Sequence, residues 1–221
     1  MPSRPLAILL DLDGTLVDTI ALILRSVRHA FEGRAWAPTD AQWVAGIGQP
    51  LRVQLGAFAD GAGDVEVLVE RYRAFQREHH DGMTRAYPGA VEAVRRLKGL
   101  GHPVAVVTGK LSEPASRALS LVGLAEFVDV LVGADSCPRH KPDPAPVLLA
   151  LQRLGREPAE ALFLGDSPID LEASRAAGVR AVAALWGACS REALLEAGPQ
   201  HLLDDVRDLP ALVERLQAEA G

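Results

Sequence analysis

Three stretches of this chain are short and wholly apolar, with no polar residue at alternate positions: Leu6 to Leu10, Val104 to Val107 and Ala161 to Leu164. Strands that read this way are buried on both faces, and such strands belong to parallel sheets covered by helices. From residue 88 onward the pattern repeats. Further strand-like runs at 128–132, 179–183 and 201–203 alternate with helical segments at 90–100, 112–123, 144–154, 168–178 and from Pro210. Strands alternating with helices of this length predict an α/β fold with a parallel sheet core and right-handed crossovers.

Between the first two strands that rhythm stops. Residues 17–86 read as helices only, over 19–33, 38–44, 51–58 and 64–80, with Asp18 or Thr19 capping the first, Pro38-Thr39-Asp40 as a second N-terminal signal, Asp64 capping the last and Asp81-Gly82 as the last break. A crossover needs one helix. Three or four suggest an inserted α-helical cap over the strand ends. The expected organisation is therefore a core of residues 1–16 and 87–221 and a cap of residues 17–86. Trp36 and Trp43 are expected to pack the cap interior. His79, His80 and Asp81 are read as an exposed helix end in preference to metal ligands.

Composition narrows the function classes. A formal charge of −6 over 221 residues argues against a general nucleic-acid binder. No apolar run approaches the ~20 residues of a membrane span, and no signal-peptide pattern precedes the first strand. Two cysteines, Cys137 and Cys189, are too few for a disulfide framework or a zinc site. These features read as a cytoplasmic protein without membrane partners. Only three of the 23 basic residues are lysines, and two of them, Lys110 and Lys141, follow predicted strands. A chain that otherwise prefers arginine keeps a compact point charge there.

Four strands of the expected sheet end in polar residues. The first gives Asp11, Asp13 and Thr15, the second Thr108, Gly109 and Lys110. Lys141 follows the third, and Asp166, Ser167 and Asp170 follow the fourth. In a parallel sheet these ends share one edge, where ligands bind. Carboxylates gathered so closely do not all ionise without a cation, and oxygen-only ligands suit Mg²⁺.

The set resembles the four motifs of the haloacid dehalogenase superfamily of phosphohydrolases. Asp11-Leu12-Asp13-Gly14-Thr15 resembles the first, Thr108 the second, Lys141 the third, and Gly165-Asp166-Ser167-Pro168-Ile169-Asp170 the fourth, in order and over essentially the whole chain. The resemblance implies a Rossmann-like core with a small helical cap. It implies a Mg²⁺-dependent phosphatase acting on a small phosphorylated metabolite, with Asp11 as nucleophile forming an aspartyl-phosphate and Asp13 as acid and base. Thr108, Gly109 and Lys141 would hold the phosphoryl group. Mg²⁺ would bind Asp11, the backbone carbonyl of Asp13, and Asp166, with Asp170 supporting its water shell.

Within the superfamily the chain looks most like phosphoglycolate phosphatase, with inorganic pyrophosphatase and sugar-phosphate mutase as alternatives. Asp13 separates it from the dehalogenases. The absence of lysine from residues 17–86 separates it from phosphonoacetaldehyde hydrolases. Another class, the non-enzymatic phosphoacceptor receiver, has no use for a 70-residue helical insertion or for Asp13. Specificity is expected in the loop Gly46-Ile47-Gly48-Gln49-Pro50-Leu51-Arg52, from Gly48, Gln49 and Arg52, and in Lys110, although Arg52 reads more simply as a solvated helix-start residue. Gly109 departs from the Asn or Thr common in relatives. Cys137 is read as a partly buried free thiol and His140, beside Lys141, as a residue that could touch substrate, and monomer and homodimer are equally compatible with the sequence.

Overall fold

The structure is a computed structural model that describes residues 4–219. In chain order its elements are β1 (Ala7–Leu10), β2 (Val17–Asp18), α1 (Ile20–Ala30), α2 (Asp40–Val44), α3 (Leu51–Gly56) and α4 (Ala62–Met83), then β3 (Arg85–Ala86), α5 (Ala90–Gly99), β4 (Val104–Val107) and α6 (Ser112–Leu121). There follow β5 (Val130–Val132), α7 (Ala145–Leu154), β6 (Ala161–Gly165), α8 (Pro168–Ala176), β7 (Arg180–Ala184), α9 (Arg191–Glu196), β8 (His201–Leu203) and α10 (Leu209–Glu219).

Six strands form one parallel sheet in the order β5-β4-β1-β6-β7-β8. The apolar runs explain its layers. Side chains alternate faces along a strand, so Ile8 and Leu10 pack on one side with Val104, Val106, Leu162 and Leu164. Val94 and Leu97 of α5, Leu119 of α6 and Leu212 and Leu216 of α10 cover that side. Ala7, Leu9, Val107 and Phe163 point the other way, under Val147 and Leu151 of α7 and Ala173 of α8. Burying each large aliphatic side chain contributes about 1.5–3 kcal/mol. Strand β1 lies between β4 and β6, so its C-terminal end emerges in the middle of the sheet edge.

The four helices α1 to α4 build a separate hydrophobic cluster around Val27, Phe31, Trp43, Leu55, Leu68 and Tyr72. Sequence reasoning found no strand here, but β2 and β3 pair antiparallel, Val17 against Ala86 and Asp18 against Arg85. Two-residue strands carry no periodicity to read. Helix α4 also differs from expectation. It runs through Asp81-Gly82 to Met83, and its N-cap is Gly61. Asp64 instead accepts from both terminal nitrogens of Arg34 and from the Asp60 N–H at 3.0 Å. The Arg34 bond, then the Asp60 N–H, hold its carboxyl down at about 2.

Two side-chain placements also depart from expectation. Trp36 is 52% exposed, set edge-on against Phe31 beside the cluster instead of within it. His80 is buried, with Nδ1 2.7 Å from Asp81. The His80 expectation failed because the helix continues past the Asp81-Gly82 break, which turns His80 inward; Trp36 lies in the connection between α1 and α2, outside any helix. Ser112 is the first residue of α6, not its cap, and its hydroxyl donates to Asp135. Strand β5 starts at Val130, because Asp129 turns its carboxylate to the Val104 N–H and to Lys98. Helix α9 went unread in the sequence. No helix among the described residues is long and apolar enough to cross a membrane.

Candidate active site

The C-terminal ends of β1, β4 and β6 and the loop after β5 bring Asp11, Thr108, Lys141, Asp166 and Asp170 into one buried cluster. Lys141 is its centre. Its Nζ donates to Asp11 Oδ1 at 2.8 Å, to Asp170 Oδ1 at 2.5 Å and to the Val107 carbonyl at 3.0 Å. Three acceptors use all three ammonium protons. Burial works against the lysine charge, but Asp11 and Asp170 outweigh it and raise its pKa above the ordinary value. Burial lifts the Asp11 carboxyl well above its usual range. Lys141 opposes that rise, and the Asp170 and Asp166 charges add to it.

Each carboxylate is oriented differently. Asp166 accepts from the Thr15 hydroxyl on Oδ1 and from the Ala188 N–H on Oδ2, both at 2.9 Å. Burial, then Asp170, push its carboxyl up to about 7, against those hydrogen bonds. Asp170 has both oxygens engaged, Oδ1 by Lys141 and Oδ2 by the Ser167 hydroxyl at 2.5 Å. The same oxygen also accepts from the Ser167 backbone N–H at 3.2 Å, the capping-box contact at the start of α8. Asp11 keeps Oδ2 without a hydrogen-bond partner among the described residues, facing the space above the sheet edge.

The packing leaves no room for larger residues. Gly14 has φ +86°, and a Cβ there would run into the Asp166 carboxylate, as would one at Gly187. A Cβ at Gly109 would strike the Gly48 carbonyl. The loop ahead of α3 therefore rests directly on the turn after β4.

One charge has to be balanced. Asp11, Asp166 and Asp170 each offer an oxygen within 4.8 Å of the others, and among the described residues Lys141 is the single cation buried with them. Three carboxylates against one ammonium leave an excess of negative charge that a divalent cation would neutralise. The donor set is all oxygen, and the Asp13 backbone carbonyl accepts no hydrogen bond among the described residues. These residues fit Mg²⁺. Asp11, Asp166 and the Asp13 carbonyl have capacity left to hold it, whereas Asp170 is committed to Lys141 and Ser167.

Asp13 stands outside this cluster. Its Oδ1 accepts from the Thr19 hydroxyl at 2.6 Å and from Lys110 Nζ at 2.7 Å, and its Oδ2 has no hydrogen-bond partner among the described residues. Lys110, expected among the specificity residues, lines the cavity and pairs with Asp13. Arg52 pairs with Glu66 and is exposed, as its solvated reading expected. Thr15 and Ser167 were placed at the strand ends without a role, and Thr19, Tyr72 and the Gly187-Ala188 backbone were not singled out as site residues. The Ser-x-x-Asp spacing at 167–170 was a readable sign of a cap. Tyr72 had only its place in a helical stripe.

A cavity of about 420 Å³ opens above Asp11, Asp13, Thr108 and Gly109. Its far wall is formed by the helical insertion, including Trp43, Ile47, Gly48, Gln49, Arg52 and Tyr72. Burial, then Asp13, raise the Tyr72 hydroxyl pKa, which places that hydroxyl within the field of the Asp13 carboxylate.

Comparison with known proteins gives a consistent family. Residues 8–184 match the family model described as haloacid dehalogenase-like hydrolase. A protein of Caldanaerobacter subterraneus subsp. tengcongensis, provisionally named pyrophosphatase PpaX, is 37% identical over 94% of this chain and 94% of its own length. The pyrophosphatase PpaX of Bacillus velezensis is 35% identical over 93% of this chain and 95% of its own. Among solved structures, a protein of Haemophilus somnus 129PT described as a predicted phosphoglycolate phosphatase superposes with a TM-score of 0.87. It is 24% identical, and the match covers 95% of this chain and 98% of that one. That likeness supports the fold alone.

Proposed function

The chain belongs to the haloacid dehalogenase-like hydrolases, and from that premise we propose that it is a Mg²⁺-assisted phosphatase working through an aspartyl-phosphate on Asp11. The observation that carries the reading is the Asp11 environment. One oxygen is pinned by Lys141 and the other is left open toward the cavity.

In the first half-reaction Asp11 Oδ2 attacks phosphorus and the bond to the leaving oxygen breaks. Asp13, with Oδ2 open and Oδ1 tied by Thr19 and Lys110, gives its proton to that oxygen. In the second half, a water attacks phosphorus and Asp13 takes its proton. The phosphorus–Oδ2 bond breaks, releasing inorganic phosphate and the Asp11 carboxylate. Proton transfer of this kind is typically worth ~10²–10⁴-fold. Thr108 steadies the phosphoryl oxygens, and Lys141, its three protons engaged, lends its positive charge from beside Asp11. Mg²⁺, when bound by Asp11, Asp166 and the Asp13 carbonyl, supplies positive charge against the phosphoryl group. Positioning and charge stabilisation are most of what phosphoryl transfer asks of a protein.

The first substrate class is a small phosphomonoester, of which phosphoglycolate is the example the sequence favoured. The second is pyrophosphate, favoured by the names of the relatives that are 32–37% identical. With Mg²⁺ present, the protein should release inorganic phosphate from p-nitrophenyl phosphate and from members of a phosphometabolite panel. Asp11→Asn should abolish that release while leaving the fold intact. Undiminished turnover by Asp11→Asn would overturn the mechanism.

A further inference from the structure

The cavity has two unlike halves. Its floor carries the catalytic carboxylates and the Thr108-Gly109 turn. Its upper wall is mostly hydrocarbon, from Ile23, Trp43, Ile47 and Leu51 of the insertion and Leu111 and Pro114 of the core. A second phosphate placed there would need cations, and few face it. Lys110 is paired with Asp13, and Arg52 is exposed and paired with Glu66. Arg73 alone among the lysines and arginines lining the cavity makes no ion pair within the described residues. An anion as highly charged as a distal phosphate, facing hydrocarbon beside the Asp13 carboxylate, would lose hydration without regaining it.

The volume points the same way. About 420 Å³ falls within the range of pockets that enclose organic ligands, roughly 300–1,000 Å³. The wall is also built rather than incidental. Trp43 is 2% exposed and stacks with Tyr72 at 6.4 Å between ring centroids, and Ile47 is 7% exposed.

We propose that the phosphoryl group arrives on an organic alcohol whose apolar body packs against Trp43, Ile47 and Leu51. This deepens the phosphatase reading and rests on it. The reaction is the one described above. The ester oxygen leaves with the proton from Asp13, and the apolar alcohol and inorganic phosphate are the products.

The test compares two alkyl esters of similar leaving-group chemistry, ethyl phosphate and 2-phenylethyl phosphate, with pyrophosphate as a third substrate. Phosphate release is measured with Mg²⁺ on the whole protein. The ring should raise kcat/KM by about tenfold or more, the scale set by burying an aromatic side chain. The 2-phenylethyl ester should also be preferred to pyrophosphate. In Leu51→Asp, which places a charge in the wall, the ratio of the two ester kcat/KM values should fall toward one. A wild-type ratio below about twofold, a preference for pyrophosphate, or a ratio that survives Leu51→Asp would each overturn the proposal. Failure to hydrolyse any phosphate compound would instead overturn the phosphatase reading beneath it.

Discussion

Lys141 shows how much a single residue can be asked to hold. It is 4% exposed, and its three protons go to two carboxylates and one carbonyl from three different parts of the chain. Lys141→Ala would leave Asp11 and Asp170 buried with no cation between them, and breaking a buried pair in this way costs on the order of 3–5 kcal/mol. Urea unfolding should report that loss, together with loss of phosphatase activity. Lys141→Arg should not restore the activity, because a planar fork cannot donate along the three directions that one ammonium serves. Full activity in either variant would remove Lys141 from the phosphate grip. At this scale much was legible in the sequence. Lysine is scarce, and a lysine just after a strand stands out. What stayed hidden was pairing. Nothing in the sequence said that Lys110 would face Asp13, a residue 97 positions away.

At the level of elements, the loop before α3 lies so close to the turn after β4 that Gly109 has no space for a methyl group against Gly48. Gly109→Ala must lift that loop from the core or distort the turn that presents Thr108. Its kcat/KM should fall by about tenfold to a hundredfold, as misplacements of about an ångström do, and the melting temperature should fall with it, because the atom struck is backbone. A Gly109→Ala variant of wild-type activity would show that the loop moves freely. Strands and long helices were readable from period and composition, since burial on both faces leaves a wholly apolar run. The two-residue pair β2–β3 was not, and neither was the end of α4, where Asp81-Gly82 looks like a stop but is overridden by the packing of His80. Local propensity is weak beside tertiary contacts of that kind.

Across the whole molecule, the sheet edge collects charge that the fold alone does not balance. Mg²⁺ that binds the folded state and not the unfolded chain should raise the melting temperature in a concentration-dependent way. At a hundredfold excess over Kd the linkage is worth about 2.7 kcal/mol. The shift should be lost in Asp166→Asn and reversed by a chelator, both measurable by calorimetry. A shift that survives Asp166→Asn would place the ion elsewhere. The insertion, for its part, leaves the core at Val17–Asp18 and returns at Arg85–Ala86, two strand ends that lie side by side in one short ribbon. A segment joined to its host at a single ribbon is an exchangeable module. A different helical segment spliced between those two points should keep the register of the six-stranded sheet, but it would have to rebuild the Gly48 contact with the Gly109 turn and the Thr19 bond to Asp13.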